Sequence, residues 1–431
     1  MRASDQDARS VRPRVGGFAR GVGATMIEKI SRQHLQLDEA AICTVGLYAQ
    51  GGFNKLFTID SNTGRWLMRV ALPVDPYRKT ASEVSTMCFV RRNTSIPVPT
   101  VLGHDASNDN DLRFEWILME YMPGSVLERA WRTISLSRKE NLVKKLAQSQ
   151  AELFHDANRF RTIGNIVQAG PGSYEVGSIV SMTFFWGDRG ARDTNRGPFR
   201  NSYQWLTARL NLALEDQDKI LANTDAEEEI DDAQAAKKLA ERLIAFLPNI
   251  FRSDEVESTM LFHDDLHEKN ILVDQSGNIT AVLDWECVSF FPLWMACQPP
   301  ALLNGAVRLE EPLRKDYGPY DPEVDEDDAE YNEGLSSSYW TDLMTYERWQ
   351  LRGLFLSEME LLEPAWLVEY RRGERKRDFE LATLHCGSEL TMKKVEAWLD
   401  AHEKGERYSL RSSLYAQKVY NLETFQGRAR F

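Results

Sequence analysis

The 431 residues carry 65 acidic against 52 basic side chains, a formal net charge of −13, so no overall positive field exists to hold nucleic acid or an anionic membrane. Five cysteines without a C-x-x-C pair are too few for a disulfide framework at this length and point to a reducing compartment. No stretch approaches the roughly 18 to 20 consecutive apolar residues needed to span a bilayer, so a soluble chain without membrane insertion is expected.

Residues 1–40 read as an N-terminal extension. Arg2, Arg9, Arg12, Arg14 and Arg20 among serines fit either a mitochondrial presequence or a partly disordered Arg-rich tail. Asp5 and Asp7 weigh against the presequence, so a cytoplasmic location is expected, with a mitochondrial one as the alternative. From position 42 to 118 the pattern turns strand-like. "LYAQGGFNKLFTID", "GRWLMRVAL" and "RFEWILMEY" are separated by turn residues at Ser61-Asn62-Thr63-Gly64 and at positions 107–111. Between these strands, Val84, Met87, Cys88 and Val90 have the spacing of one helix, closed by Asn93, Pro97 and Pro99. A small antiparallel sheet lobe with one helix is therefore predicted over 41–123, ending at "MPG".

Beyond Gly124 nearly everything reads as helix, which predicts a larger helical lobe over 124–431 and an α+β fold in two lobes. "LSRKENLVKKLAQSQAELFHD" and "WLTARLNLALEDQDKILAN" have helical apolar spacing. The acidic runs "DAEEEIDD" and "DPEVDEDDAE" read as solvated helix ends or loops.

The exception is residues 262–286, "FHDDLHEKNILVDQSGNITAVLDWE". Two short β-prone runs flank Asp274-Gln275-Ser276-Gly277-Asn278, a group of turn formers, and predict a hairpin. Pairing returns Asp284, at the end of the second strand, to Asn270, just before the first. One amide oxygen and one carboxylate then converge, a donor set suited to Mg²⁺. Asp265, on the loop entering the same site, is free to meet a substrate hydroxyl. Phosphoryl transfer needs both parts, a metal on the phosphate oxygens and a carboxylate that orients or deprotonates the attacking group. In the first lobe, Gly51-Gly52 either lets backbone approach a phosphate or forms a plain hairpin turn.

His263-x-Asp265-x-x-x-x-Asn270 followed by Asp284-Trp285-Glu286 resembles the catalytic loop and metal motif of the aminoglycoside and choline kinase-like phosphotransferases, relatives of the protein kinases. "GGFNKLF", "RWLMRV", "SEVSTMCFVRRNTSIPVP" and "WILMEYMPG" resemble the nucleotide lobe of that family's fungal branch, and "GPFRNSYQWL" its helical insert. The resemblance runs from about residue 42 to about residue 300. It implies a bilobal protein kinase-like fold with ATP between the lobes. It also implies Asp265 as catalytic base, Asn270 and Asp284 as Mg²⁺ ligands, Arg69 as the phosphate-gripping cation, Glu83 as its helix partner, and Glu120 to Met122 as the segment meeting the adenine edge. His263 either braces the loop or acts directly as acid or base. Glu286 either supports the metal or is a solvated charge at a strand end. Arg69 departs from the lysine usual at that position, and a guanidinium is not equivalent to an ammonium.

The expected function is therefore an ATP and Mg²⁺-dependent kinase acting on a hydroxyl of a small molecule. A protein kinase is disfavoured because Asp284-Trp285-Glu286 stands where D-F-G belongs. The alternative is a pseudokinase or nucleotide-binding module with a regulatory or assembly role, suggested by Arg69 and by the unmatched C-terminal hundred-odd residues.

Overall fold

The computed structural model describes residues 23–156, 159–325 and 329–414. A first helix, α1 (Ala24–Leu35), leads into strands β1 (Cys43–Gln50), β2 (Asn54–Ser61) and β3 (Gly64–Ala71). Helix α2 (Arg78–Asn93) follows, then β4 (Val101–Asp105) and β5 (Glu115–Glu120). The five strands form one antiparallel sheet in the order β1-β2-β3-β5-β4.

Period-2 alternation assigns the two faces of this sheet. Phe57, Ile59, Met68, Val70, Trp116 and Leu118 are buried on one face with Ile27 of α1. α1 thus lies inside the segment read as an extension, where Met26, Ile27, Ile30 and Leu35 pack on the sheet; positions 1–22 fall outside the described residues. Gly103 of β4 gives α1 room to approach, since a Cβ there would stand 2.5 Å from the His34 ring. The other face carries Leu67, Arg69, Ile117 and Met119 and is covered by Val84, Met87 and Val90 of α2. Arg69 is consequently buried, 7% exposed.

The chain crosses to the second lobe at Gly124. Its φ of 128° is open to glycine, and a Cβ would meet the Val273 carbonyl at 2.8 Å. The short strand β6 (Ser125–Val126) and the helices α3 (Leu127–Ala130) and α4 (Leu136–His155) come next. A hairpin, β7 (Ile166–Gly170) with β8 (Ser173–Val176), lies under α2, where Gln168 N donates to Ser85 Oγ at 3.1 Å. Then follow α5 (Met182–Phe185), α6 (Ser202–Asn223), α7 (Glu227–Phe246) and β9 (Thr259–Phe262). The predicted hairpin is β10 (Ile271–Val273) with β11 (Ile279–Val282), and β12 (Ser289–Pro292) pairs with β9. Helices α8 (Leu293–Ala296), α9 (Ser337–Leu362), α10 (Pro364–Arg372), α11 (Glu374–His385) and α12 (Glu389–Glu403) complete the lobe.

The two long predicted helices correspond to α4 and α6, and the first acidic run supplies the first turn of α7, where carboxylates suit the helix dipole. The second run lies in the loop before α9, with 326–328 outside the described residues. The second lobe holds more strand than the sequence suggests. β6, β9 and β12 are two to four residues long, too short to display a period.

One apolar core runs from α2 through the second lobe. Inside it, Lys139 of α4 and Glu347 of α9 form a buried ion pair, with Nζ 2.7 Å from both carboxylate oxygens, and Trp131 Nε1 donates to the same group at 2.7 Å. Lys139→Met would leave the Glu347 charge with the indole as its only partner among these contacts. Breaking one side of a buried pair costs about 3–5 kcal/mol, so calorimetry should show a melting temperature lowered by several degrees.

Candidate active site

The hairpin β10–β11 pairs Ile271 with Val282, and one step further the Leu283 amide donates to the Asn270 carbonyl at 2.8 Å. β6 adds a third strand on the far side of β10. This small sheet is the platform of the site, and it sets the residues before β10 beside those after β11. Asn270 Nδ2 donates to the Asp265 carbonyl at 2.9 Å and lies 3.3 Å from Asp265 Oδ2. His267 Nε2 is 3.4 Å from Asp265 Oδ1. Asp265 is thus held within a loop turn while its side chain stays 62% exposed.

Asp284 leaves β11 with φ at 61°, and Cys287 also has φ at 61°. Left-handed backbone at two non-glycine positions stores of order 1 kcal/mol or more each and clusters at functional sites. The Asp284 turn carries Oδ1 to 3.6 Å from Arg69 Nη2. Burial pushes the Asp284 carboxyl above the usual range, with Arg69 opposing.

His263 is 7% exposed, its Nε2 lies 3.0 Å from the Leu283 carbonyl, and its ring packs 5.1 Å from Trp285. Burial lowers its pKa, so the neutral ring donates Nε2–H to Leu283. Of the two roles open to His263, this geometry fits the brace, because the ring holds the backbone beside Asn270 and faces protein.

Across the cleft, Arg69 Nη1 donates to Glu83 Oε1 and Nη2 to Glu286 Oε2. Burial opposes the Arg69 charge, but Glu83 and Glu286 hold it protonated. Burial pushes Glu83 up to about 7 against the pull of Arg69. Burial also opposes the Glu286 charge, yet Arg69 and Lys79 bring it down to about 2. Lys79 Nζ lies 2.5 Å from Glu286 Oε2, and Asn54 Nδ2 donates to that same oxygen at 3.0 Å. Arg69, Lys79, Glu83, Asp284 and Glu286 thus place two cations among three carboxylates.

Gly51 and Gly52 form the turn before β2, closed by Gly51 N–H donating to Asn54 O at 2.9 Å. Neither has the positive φ that demands glycine, and a Cβ on Gly52 would meet nothing within 4 Å. Open space beside the turn is therefore the feature they provide. Glu120 ends β5 with its carboxylate turned to Thr100, accepting from Oγ1 at 2.7 Å, and Met122 lies in the crossing segment. Neither side chain joins the charged cluster.

Sequence reasoning passed over Lys79 and Asn54. Lys79 stands four positions before Glu83 on α2, the spacing that stacks two side chains on one helix face, so the residue chosen as Arg69's partner already pointed to it. Asn54 is the first residue of β2 after the glycine turn and carried no comparable signal.

A cavity of about 780 Å³ opens between α3, the start of α4 and α9. Trp131, Trp340 and Tyr331 contribute its aromatic surface, and Glu268, from the loop before β10, its edge. The Glu128 amide donates to the Glu268 carbonyl at 3.1 Å, joining that wall to the loop.

A family model described as the phosphotransferase enzyme family matches residues 49–295, more than half the chain. The chain belongs to this family. The matched span includes every site residue predicted from the sequence, from Gly51 to Asp284. Curated relatives are distant. A subtelomeric hrmA-associated cluster protein of Aspergillus fumigatus is 23% identical over 305 residues, covering 59% of this chain and 60% of that protein. Clavilactone A biosynthesis cluster protein Y of Ampulloclitocybe clavipes is 29% identical over 232 residues, covering 52% and 54%. Altered inheritance of mitochondria protein 9, mitochondrial, of Yarrowia lipolytica is 23% identical over 325 residues, covering 66% and 55%. The chain spans little more than half the length of these relatives. Among solved structures, a thermostable apo mutant of aminoglycoside phosphotransferase APH(4)-Ia is 13% identical, covering 90% of this chain and 99% of that one at a TM-score of 0.41. No helix among the described residues is long and apolar enough to cross a membrane.

Proposed function

We propose that this phosphotransferase moves the γ-phosphoryl group of ATP to a hydroxyl of a small molecule, with Mg²⁺ as cofactor. The observation that supports the reading is the Leu283-to-Asn270 backbone bond: it sets Asn270, which is bonded to Asp265, beside the end of β11, and Asp284 there lies 3.6 Å from Arg69.

The donor chemistry fits the metal. Asn270 commits its N–H to the Asp265 carbonyl, which leaves the amide oxygen to ligate, and Asp284 offers a carboxylate that is 38% exposed. Oxygen donors of this kind, completed by water and phosphate, suit Mg²⁺. Bound there, the ion supplies positive charge against the phosphate oxygens. Asp265 receives the acceptor hydroxyl, orients it in line with the γ-phosphate and takes its proton. Arg69 meets phosphate oxygens from the first lobe, while Gly51 and Gly52 leave room for phosphate and backbone at positions 120–122 borders the adenine. The cavity edged by Glu268, on the same loop as Asp265, is the room this reading gives the acceptor. The cytoplasm is the location we propose, with the mitochondrion as the alternative, in keeping with the mitochondrial name of the Yarrowia lipolytica relative.

The second reading, a nucleotide-binding module without transfer, draws on Arg69 having both arms committed to carboxylates. Incubation with γ-labelled ATP, Mg²⁺ and a small-molecule extract separates the two. The kinase reading expects label in a low-molecular-weight product. Label only in peptides, or nucleotide binding with no labelled product across chemically diverse extracts, contradicts it.

A further inference from the structure

Three donors from three elements converge on one oxygen, Glu286 Oε2. Asn54 Nδ2, at the start of β2, approaches to 3.0 Å, Lys79 Nζ, on α2, to 2.5 Å, and Arg69 Nη2 comes from β3. Such convergence of charge-assisted N–H donors is how proteins hold a phosphoryl oxygen. The cluster sits beside the glycine turn and Asp284, where the phosphates of a nucleotide are read to lie.

Lys79 is 1% exposed. An ammonium that deep requires an anion, and the nearest is Glu286. The placement is built in, not incidental. Lys79 N–H donates to the Asp75 carbonyl at 3.2 Å, Asp75 pairs with the buried Arg196 guanidinium at 3.0 Å, and Tyr77 N–H donates to Glu115 at 2.9 Å. These contacts fix the first turn of α2 against the sheet, and Asn54 Oδ1 receives the ammonium at 3.3 Å. Arg69 is less free to follow a phosphate, because its Nη1 is held by Glu83 and its Nε finds no partner among the described residues. An ammonium on a four-carbon stem can turn without losing a planar, two-armed contact.

We infer that Lys79, with Asn54 and Arg69, forms the phosphate clamp of this site, and that Glu286 fills it as an internal stand-in which the nucleotide phosphates displace. The inference rests on the phosphotransferase reading and adds two roles to it. Helix α2 supplies the compact ammonium that β3 lacks, and the third residue of Asp284-Trp285-Glu286 competes with the substrate.

Calorimetric titration of the full chain with ATP in EDTA tests the clamp, with adenosine titrated alongside and thermal melts as a folding control. Lys79→Met removes one charge-assisted contact and should weaken ATP binding by about 10- to 100-fold, leaving adenosine unchanged. Glu286→Gln removes the competitor and should tighten metal-free ATP binding severalfold. Opposite signs from two neighbouring substitutions are beyond what a merely structural role or partial unfolding produces. Unchanged ATP affinity in Lys79→Met, or weakened or unchanged affinity in Glu286→Gln, overturns the clamp while leaving phosphate transfer by the native protein intact. Native protein that binds neither ATP nor ADP, with Mg²⁺ or without, overturns the clamp and the phosphotransferase reading together.

Discussion

Asp265→Ala should lower turnover at least about 100- to 10,000-fold, the range that positioned general-base groups contribute, while the dissociation constant for Mg²⁺-nucleotide changes less than severalfold. The expectation follows from where Asp265 sits. Its side chain is 62% exposed and meets Asn270 and His267 only at 3.3 and 3.4 Å, so its removal leaves no buried charge and little lost packing. The fold should survive, and the melting temperature should stay within about a degree or two of the native value. Steady-state kinetics with the acceptor, set beside nucleotide titration of the same variant, reads both quantities. Near-native turnover with normal nucleotide binding removes Asp265 from the chemistry.

Arg69→Met should be costly in a second way. Arg69 is the buried partner of Glu83, itself 2% exposed, and it also bridges to Glu286. Removing one side of such a pair costs about 3–5 kcal/mol. The sign of its pH dependence is fixed by Glu83. Its folded pKa of about 7 lies above the ordinary 4.5. The stability linked to the neutral carboxyl is therefore fully present below pH 4.5 and lost as pH rises through 7. Without the guanidinium, Glu83 is driven further toward the neutral form. The stability gap between variant and native protein should then be smallest near pH 4.5 and widen toward pH 8. Urea melts across that range read the trend, and a gap that narrows with rising pH contradicts the pairing. Arg69→Lys keeps a charge but lacks the fork that spans Glu83 and Glu286, so it should recover only part of the stability.

The hairpin at 271–282 was legible because three local signals agree: β-prone runs, turn formers at 274–278 and a polar loop ahead of them. The same agreement made the Asn270 and Asp284 neighbourhood readable from residue types and spacing alone. Strand alternation likewise put Arg69 opposite the Met68 face. What alternation does not say is what covers a face, and α2 closes over Arg69 from about ten residues away in sequence. The contacts made by Glu286 were illegible for a related reason. Its partners Asn54, Arg69 and Lys79 lie more than 200 positions earlier, and only the docking of the two lobes brings them together. α1 carries a detectable stripe, Met26, Ile27, Ile30 and Leu35, packed on the sheet; it was missed because the Arg-rich positions ahead of it drew the whole of 1–40 into one extension.

Asn270 and Asp284 are expected to share one divalent ion beside a nucleotide whose γ-phosphate faces Asp265. Crystals grown with Mn²⁺ and a non-hydrolysable ATP analogue test this most directly, through the anomalous signal of the metal. The expected result is a peak bonded to the Asn270 amide oxygen and the Asp284 carboxylate, touching the phosphates. A bound nucleotide whose metal sits on neither side chain, or whose γ-phosphate lies away from Asp265, contradicts it.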